Sequence, residues 1–207
     1  MQYLLEHFAV GVAAITGVLA ARGKQVDLFG VIVLALVTAF GGGTLRDLLV
    51  GDRPLFWMRD PSFLLNASVV ALVVFFIARF RPLPRQVLLV ADAFALALFT
   101  MIGAKKALAF QVAPSIAVAM GVITGVAGGM MRDVLASEIP LVFRREIYLY
   151  ATAALCGAVV FVLLSRWSMH EQGNMVLAAA TTLVLRLAGI RWKLALPVFQ
   201  HHEESEL

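Results

Sequence analysis

Two stretches of this 207-residue chain place glycine, arginine and aspartate in one register: TAFGGGTLRDLL at 38–49 and TGVAGGMMRDVL at 124–135. Thr38, Gly42, Gly43, Arg46 and Asp47 correspond to Thr124, Gly128, Gly129, Arg132 and Asp133, each pair 86 residues apart. Arginine offers a planar fork of five N–H donors, and an ionised aspartate only accepts. Side chains of these types hold or pass charge. No loop of the sequence carries a metal-ligand cluster, a nucleophile elbow or a phosphate loop. An enzyme is therefore not expected.

The elements that carry these residues are membrane helices. With 61% apolar and 14% charged residues and a mean hydropathy of +0.91, a soluble globule would expose large apolar patches. Seven hydrophobic stretches run approximately from Leu4 to Ala21, Leu28 to Leu49, Phe63 to Phe80, Val87 to Ala104, Ile116 to Leu135, Ile147 to Ser165 and Met175 to Gly189. Each approaches the roughly 20 residues that cross about 30 Å of hydrocarbon. The first lacks a basic flank and a cleavage signature, so it reads as a retained helix. At the same 86-residue offset, Glu6, Phe8, Ala9 and Gly17 meet Asp92, Phe94, Ala95 and Gly103, so the repeated unit is three helices. An odd number of spans inverts the second copy. The expected fold is an all-α integral membrane protein of seven transmembrane helices. Residues 1–86 form the first repeat, 87–172 the inverted second, 173–190 a seventh helix and 191–207 a polar cytoplasmic tail.

Each glycine inside a helix costs about 1 kcal/mol relative to alanine. Gly41, Gly42 and Gly43 in the second span, and Gly128 and Gly129 in the fifth, are thus expected to break or kink those helices. Arg46, Asp47, Arg132 and Asp133 would together cost on the order of 10 kcal/mol facing lipid, so they must face protein or water. Neighbouring residues point about 100° apart on a helix, which favours partners from opposite repeats: Arg46 with Asp133, and Arg132 with Asp47. Non-helical backbone at membrane depth survives only beside protein or a watery cavity, which points to an aqueous pathway. The competing reading is close helix packing through Gly121, Gly125 and Gly129, with an inert charge network. Thr38 and Thr124 suit pore lining or packing equally. Glu6 and Asp92, paired by the repeat, are candidates for lining the pathway, although a carboxylate near a helix start also complements the dipole.

Basic residues act here as topology markers. Arg22, Lys24, Arg79, Arg81, Arg85, Arg144, Arg145, Arg191 and Lys193 fall on one side, and Arg53, Arg59, Lys105, Lys106 and Arg166 on the other. The N-terminus is expected outside and the C-terminus in the cytoplasm. Cys156, the single cysteine, excludes an intrachain disulfide and reads as packing. His201 and His202 lack a third ligand, so no metal site is expected, and His7 reads as interfacial. Phe56 and Trp57 read as an interfacial belt, Arg186 as a snorkelling side chain, and Lys105 and Lys106 as surface positions or holders of an anionic lipid head group.

GGGTLRD, AGGMMRD, the three-helix repeat and the seventh helix together resemble the prokaryotic trimeric intracellular cation (TRIC) channel family, bacterial membrane proteins also described as of glycine-transporter type. The resemblance spans about Glu6 to Gly189. It implies a homotrimer in the prokaryotic inner membrane, with a hydrophilic pore in each protomer lined by kinked second and fifth helices. It implies passive conduction of monovalent cations, potassium preferred over sodium, with no cofactor, no nucleic-acid partner and contact with membrane lipids. The family's kink positions fall on Gly41, Gly42, Gly43, Gly128 and Gly129, and its motif charges on Arg46, Asp47, Arg132 and Asp133. Ala127 replaces the first glycine of the second motif, which weakens the expectation of equal kinks. The alternative is a secondary transporter of a small zwitterion such as glycine.

Overall fold

A computed structural model describes residues 2–81, 84–144, 149–167 and 170–193. Arg145, His201, His202 and most of the polar tail lie outside the described residues. The described residues are helical and turn structure without strands. The helices are α1 (Gln2–Ala20), α2 (Leu28–Val50), the short α3 (Phe56–Arg59), α4 (Ser62–Phe80), α5 (Arg85–Ala109), α6 (Pro114–Leu135), α7 (Tyr150–Arg166) and α8 (Glu171–Trp192). A 3₁₀ turn, Leu141–Phe143, follows α6. Six helices are long and apolar enough to span a bilayer, and α7 is a shorter apolar helix of 17 residues. This is an integral, multi-pass membrane protein.

The second and fifth spans of the sequence are α2 and α6, and they form the central crossing. The expected break is absent: both helices are continuous through their glycines. The preference that glycine loses, about 1 kcal/mol per residue, is smaller than the several kcal/mol of leaving a peptide group unbonded in hydrocarbon. The glycines serve close approach instead. A methyl on Gly42 would overlap the carbonyl oxygen of Thr124, and one on Gly128 would overlap that of Thr38. The two positions are reciprocal, with Gly42 N 3.6 Å from the methyl position on Gly128. A flanking stripe packs α6 on α5, where a methyl on Gly121 would stand 2.9 Å from the carbonyl oxygen of Thr100.

The 86-residue offset extends to the helix ends. After α2, Gly51 adopts φ +75° and Asp52 N–H donates to Asp47 O at 2.8 Å. After α6, Ser137 adopts φ +55° and Glu138 N–H donates to Asp133 O at 2.8 Å. Both are left-handed closures that satisfy a terminal carbonyl. The peripheral helices differ more. α4 leaves Leu65, Val69, Val73, Phe76 and Phe80 exposed, whereas α7 is flanked by α8, which packs on both α7 and α5.

Candidate functional site

In the first repeat, Arg46 turns onto its neighbour. Its Nη2 lies 2.7 Å and its Nε 2.8 Å from Asp47 Oδ1. The same oxygen accepts from Lys106 Nζ at 2.7 Å, and Asp47 Oδ2 accepts from Phe56 N–H at 3.0 Å. In the second repeat, Arg132 Nε donates to Asp133 Oδ1 and Arg132 Nη1 to Asp92 Oδ1, each at 2.8 Å. Asp133 Oδ2 accepts from Leu141 N–H at 2.8 Å. The expected cross-repeat pairs do not form. The Cβ directions diverge as the geometry requires, but arginine's long side chain bends round to the adjacent carboxylate. The aspartate then has its second oxygen free to hold the loop that follows.

All four motif charges are buried, as is Asp92. Its repeat counterpart Glu6 is half-buried and accepts from Gln2 Nε2 at 2.8 Å. Thr38 and Thr124 return their hydroxyls to the carbonyls of Leu34 and Met120, both at 2.6 Å, and they also line the central gap. Arg186 does not snorkel. It is fully buried, its guanidinium 4.8 Å from the centre of the Tyr150 ring and acting electrostatically on Asp92. Trp57 donates to Thr44 Oγ1 at 3.0 Å and stacks on Phe40, while Phe56 covers Gly43. These two aromatics therefore close the end of α2 rather than form a lipid belt. Cys156 is exposed on α7 instead of packed. His7 lies between α1 and α4, stacked on Phe63 and bonded to Ser62 and Asn66. Lys105 pairs with Glu171 at the start of α8.

Two vestibules enter the protein from opposite ends of α1. The first, about 570 Å³, is lined by Tyr3 and Glu6 of α1, Arg46 of α2, Asp52, and Lys105 and Lys106 of α5. The second, about 460 Å³, is lined by Leu19 and Lys24 at the other end of α1, Leu88 of α5, and Asp133, Glu138 and Arg144. Between them, at the α2–α6 crossing, a gap of about 10 Å³ is bounded by Thr38, Gly42, Asp92, Thr124, Gly128 and Arg132. That is room for about one water.

Two carboxylates unremarked in the sequence, Asp52 and Glu138, also stand 86 residues apart and line one vestibule each. Lys106 Nζ reaches Asp52 Oδ2 and Lys24 Nζ reaches Glu138 Oε1, both at 2.5 Å. Arg59 and Arg144 flank them at 2.7 and 3.0 Å. The Lys106 hydrogen bond holds the Asp52 carboxyl below its ordinary range, against a smaller opposing effect of burial. Lys24 does the same to Glu138. A depressed carboxyl favours the folded state above its unfolded pKa, so both bridges persist at neutral pH. They are lost only as pH falls below the ordinary carboxylate range near 4.

A family model described as glycine transporter matches residues 3–79 and 89–166, segments that begin 86 residues apart. The UPF0126 inner membrane protein YadS of Escherichia coli strain K12 is 45% identical over 205 residues, covering 98% of each chain. A UPF0126 membrane protein of Vibrio cholerae is 43% identical over 198 residues, 95% of this chain and 82% of the relative. The trimeric intracellular cation channel orthologue from Rhodobacter sphaeroides superposes with a TM-score of 0.88 at 39% identity, over 93% of this chain and 98% of that one. A prokaryotic TRIC channel in 0.5 M KCl gives 0.85 at 29% identity, over 94% and 98%.

Proposed function

The chain belongs to the glycine-transporter family that includes the prokaryotic TRIC channels, and from that premise we propose that it is a passive cation channel of the prokaryotic inner membrane. The observation that carries this reading is the pair of vestibules facing each other across the α2–α6 crossing. Ions enter either vestibule in water and meet a charged constriction at Asp92 and Arg132. A gap that admits about one water is a non-conducting state, so conduction requires α2 and α6 to separate at Gly42 and Gly128. Potassium and sodium are cargo, with potassium preferred, and no prosthetic group takes part. Each protomer of a homotrimer holds its own pathway. The second vestibule opens to the cytoplasm in this reading, which the excess of basic residues in the loops on that side supports.

Purified protein in a planar bilayer under a KCl gradient tests the proposal. Unitary currents that reverse near the potassium equilibrium potential are expected, and replacing K⁺ by Na⁺ on one side reads the preference. Absence of unitary currents together with glycine counterflow in proteoliposomes would replace the channel by a carrier.

A further inference from the structure

Lys106, which also donates to the motif aspartate Asp47, and Lys24 each hold a vestibule carboxylate outside the motif. Lys106 lies in the last turn of α5 and Lys24 lies just beyond the end of α1, the helix that corresponds to α5 in the repeat. They are not repeat counterparts: Lys106 aligns with Ala20, and Lys24 with Phe110. Each repeat has thus placed a lysine at the same helix end independently. Each lysine crosses to the other repeat and meets the carboxylate five residues beyond that repeat's motif aspartate.

Resting on the channel reading, we propose that Lys106 and Lys24 set how strongly each vestibule gathers cations, by cancelling the carboxylates Asp52 and Glu138 across the repeat boundary. The vestibules are small enough for one charge to matter. A sphere of 570 Å³ has a radius of about 5 Å, and at that distance in water a unit charge changes the local cation concentration about threefold at roughly 20 mM salt. At 1 M salt the change falls below about 1.5-fold. Because the vestibules lie at opposite ends of the pathway, each lysine governs entry from its own side.

The test is single-channel recording in inside-out patches, where the cell fixes the direction of insertion, in symmetric KCl at about 20 mM and 1 M. Lys106→Met is expected to raise current entering from the first vestibule about threefold at low salt, and Lys24→Met to do so from the second. The two variants therefore rectify in opposite directions, and Lys106→Arg and Lys24→Arg restore the parent behaviour. Asp52→Asn cuts the same bridge as Lys106→Met but changes the charge with the opposite sign, so it lowers entry from the first vestibule. A tether without an electrostatic role would move both variants alike, and that result overturns the proposal. So does a normal current–voltage curve at low salt in conducting Lys24→Met, whose exposed pair leaves folding untouched even where Lys106→Met fails to assemble. A parent protein that passes no current overturns the channel reading itself.

Discussion

The Arg-Asp pair of the first repeat stands at the wall of a vestibule and shares its carboxylate with a lysine. In the second repeat the aspartate, Asp133, lines the other vestibule, while the arginine is fully buried and shared with a second carboxylate, Asp92. The same five-residue pattern thus supports an excess of positive partners in one place and of negative partners in the other. Each imbalance is met from outside the motif: the extra cation of the first, Lys106, by the carboxylate Asp52, and the extra carboxylate of the second, Asp92, by Arg186 from α8. α8, which lies beyond both segments matched by the family model, packs on α5 and α7, the half whose charge it offsets. Duplication supplied two equivalent frames, and the chain then loaded them differently.

Removing each arginine should break the comparison most sharply. Arg132→Ala leaves Asp133 buried without its cation and Asp92 with Arg186 alone, a loss of about 3 to 5 kcal/mol. Arg46→Ala leaves Asp47 with Lys106 and the Phe56 N–H, so about 1 to 3 kcal/mol is expected. Thermal unfolding in detergent measures both, and equal losses would mean that the two clusters are equivalent after all.

The glycines at the crossing give the next largest effect, and here the repeats should behave alike. Gly42→Ala and Gly128→Ala each push a methyl into the opposing backbone, at about 1 to 3 kcal/mol. The double variant should cost less than the sum, since both relieve one contact. Gly41→Ala meets only the Met131 thioether, 2.6 Å from the added methyl position at the end of a flexible side chain, and should be milder. A Gly42→Ala protein that unfolds like the parent would show that α2 and α6 do not touch in the membrane.

The smallest effect separates the helix ends. Gly51→Ser should destabilise and Ser137→Gly should stabilise, each by about 1 kcal/mol, because the left-handed conformation costs a residue with a Cβ that much and glycine little. Changes of the same sign in urea unfolding would show that the two turns are not equivalent.

The spans and the repeat were legible because both are patterns along the chain: apolar length reads out the bilayer, and eight coincident positions read out the duplication. Partner choice was not legible. Treating Arg46 and Asp47 as vectors 100° apart ignored the four rotatable bonds of arginine, which let its head reach a neighbour that its Cβ does not face. Arg186 looked like a snorkelling residue because hydropathy places it near a helix end, and only the packing of α8 on α7 carries it beneath Tyr150. The glycines were read by their helix propensity, whereas the crossing of α2 and α6 decides their use. The lysine bridges had a signal that went unused: Asp52 and Glu138 already obeyed the 86-residue offset.

The pairing of each arginine with the aspartate next in sequence also bears on how the protein is made. A ribosome delivers α2 to the membrane before α5 and α6 exist, so a charge in α2 that depended on the second repeat would have to wait, uncompensated, in the translocation machinery. Arg46 and Asp47 neutralise one another within the segment that carries them, so α2 enters the lipid as a net-neutral helix. Lys106 and its bridges arrive with the later half, when nascent α5 docks, and the order of synthesis becomes the order in which the charge network is completed.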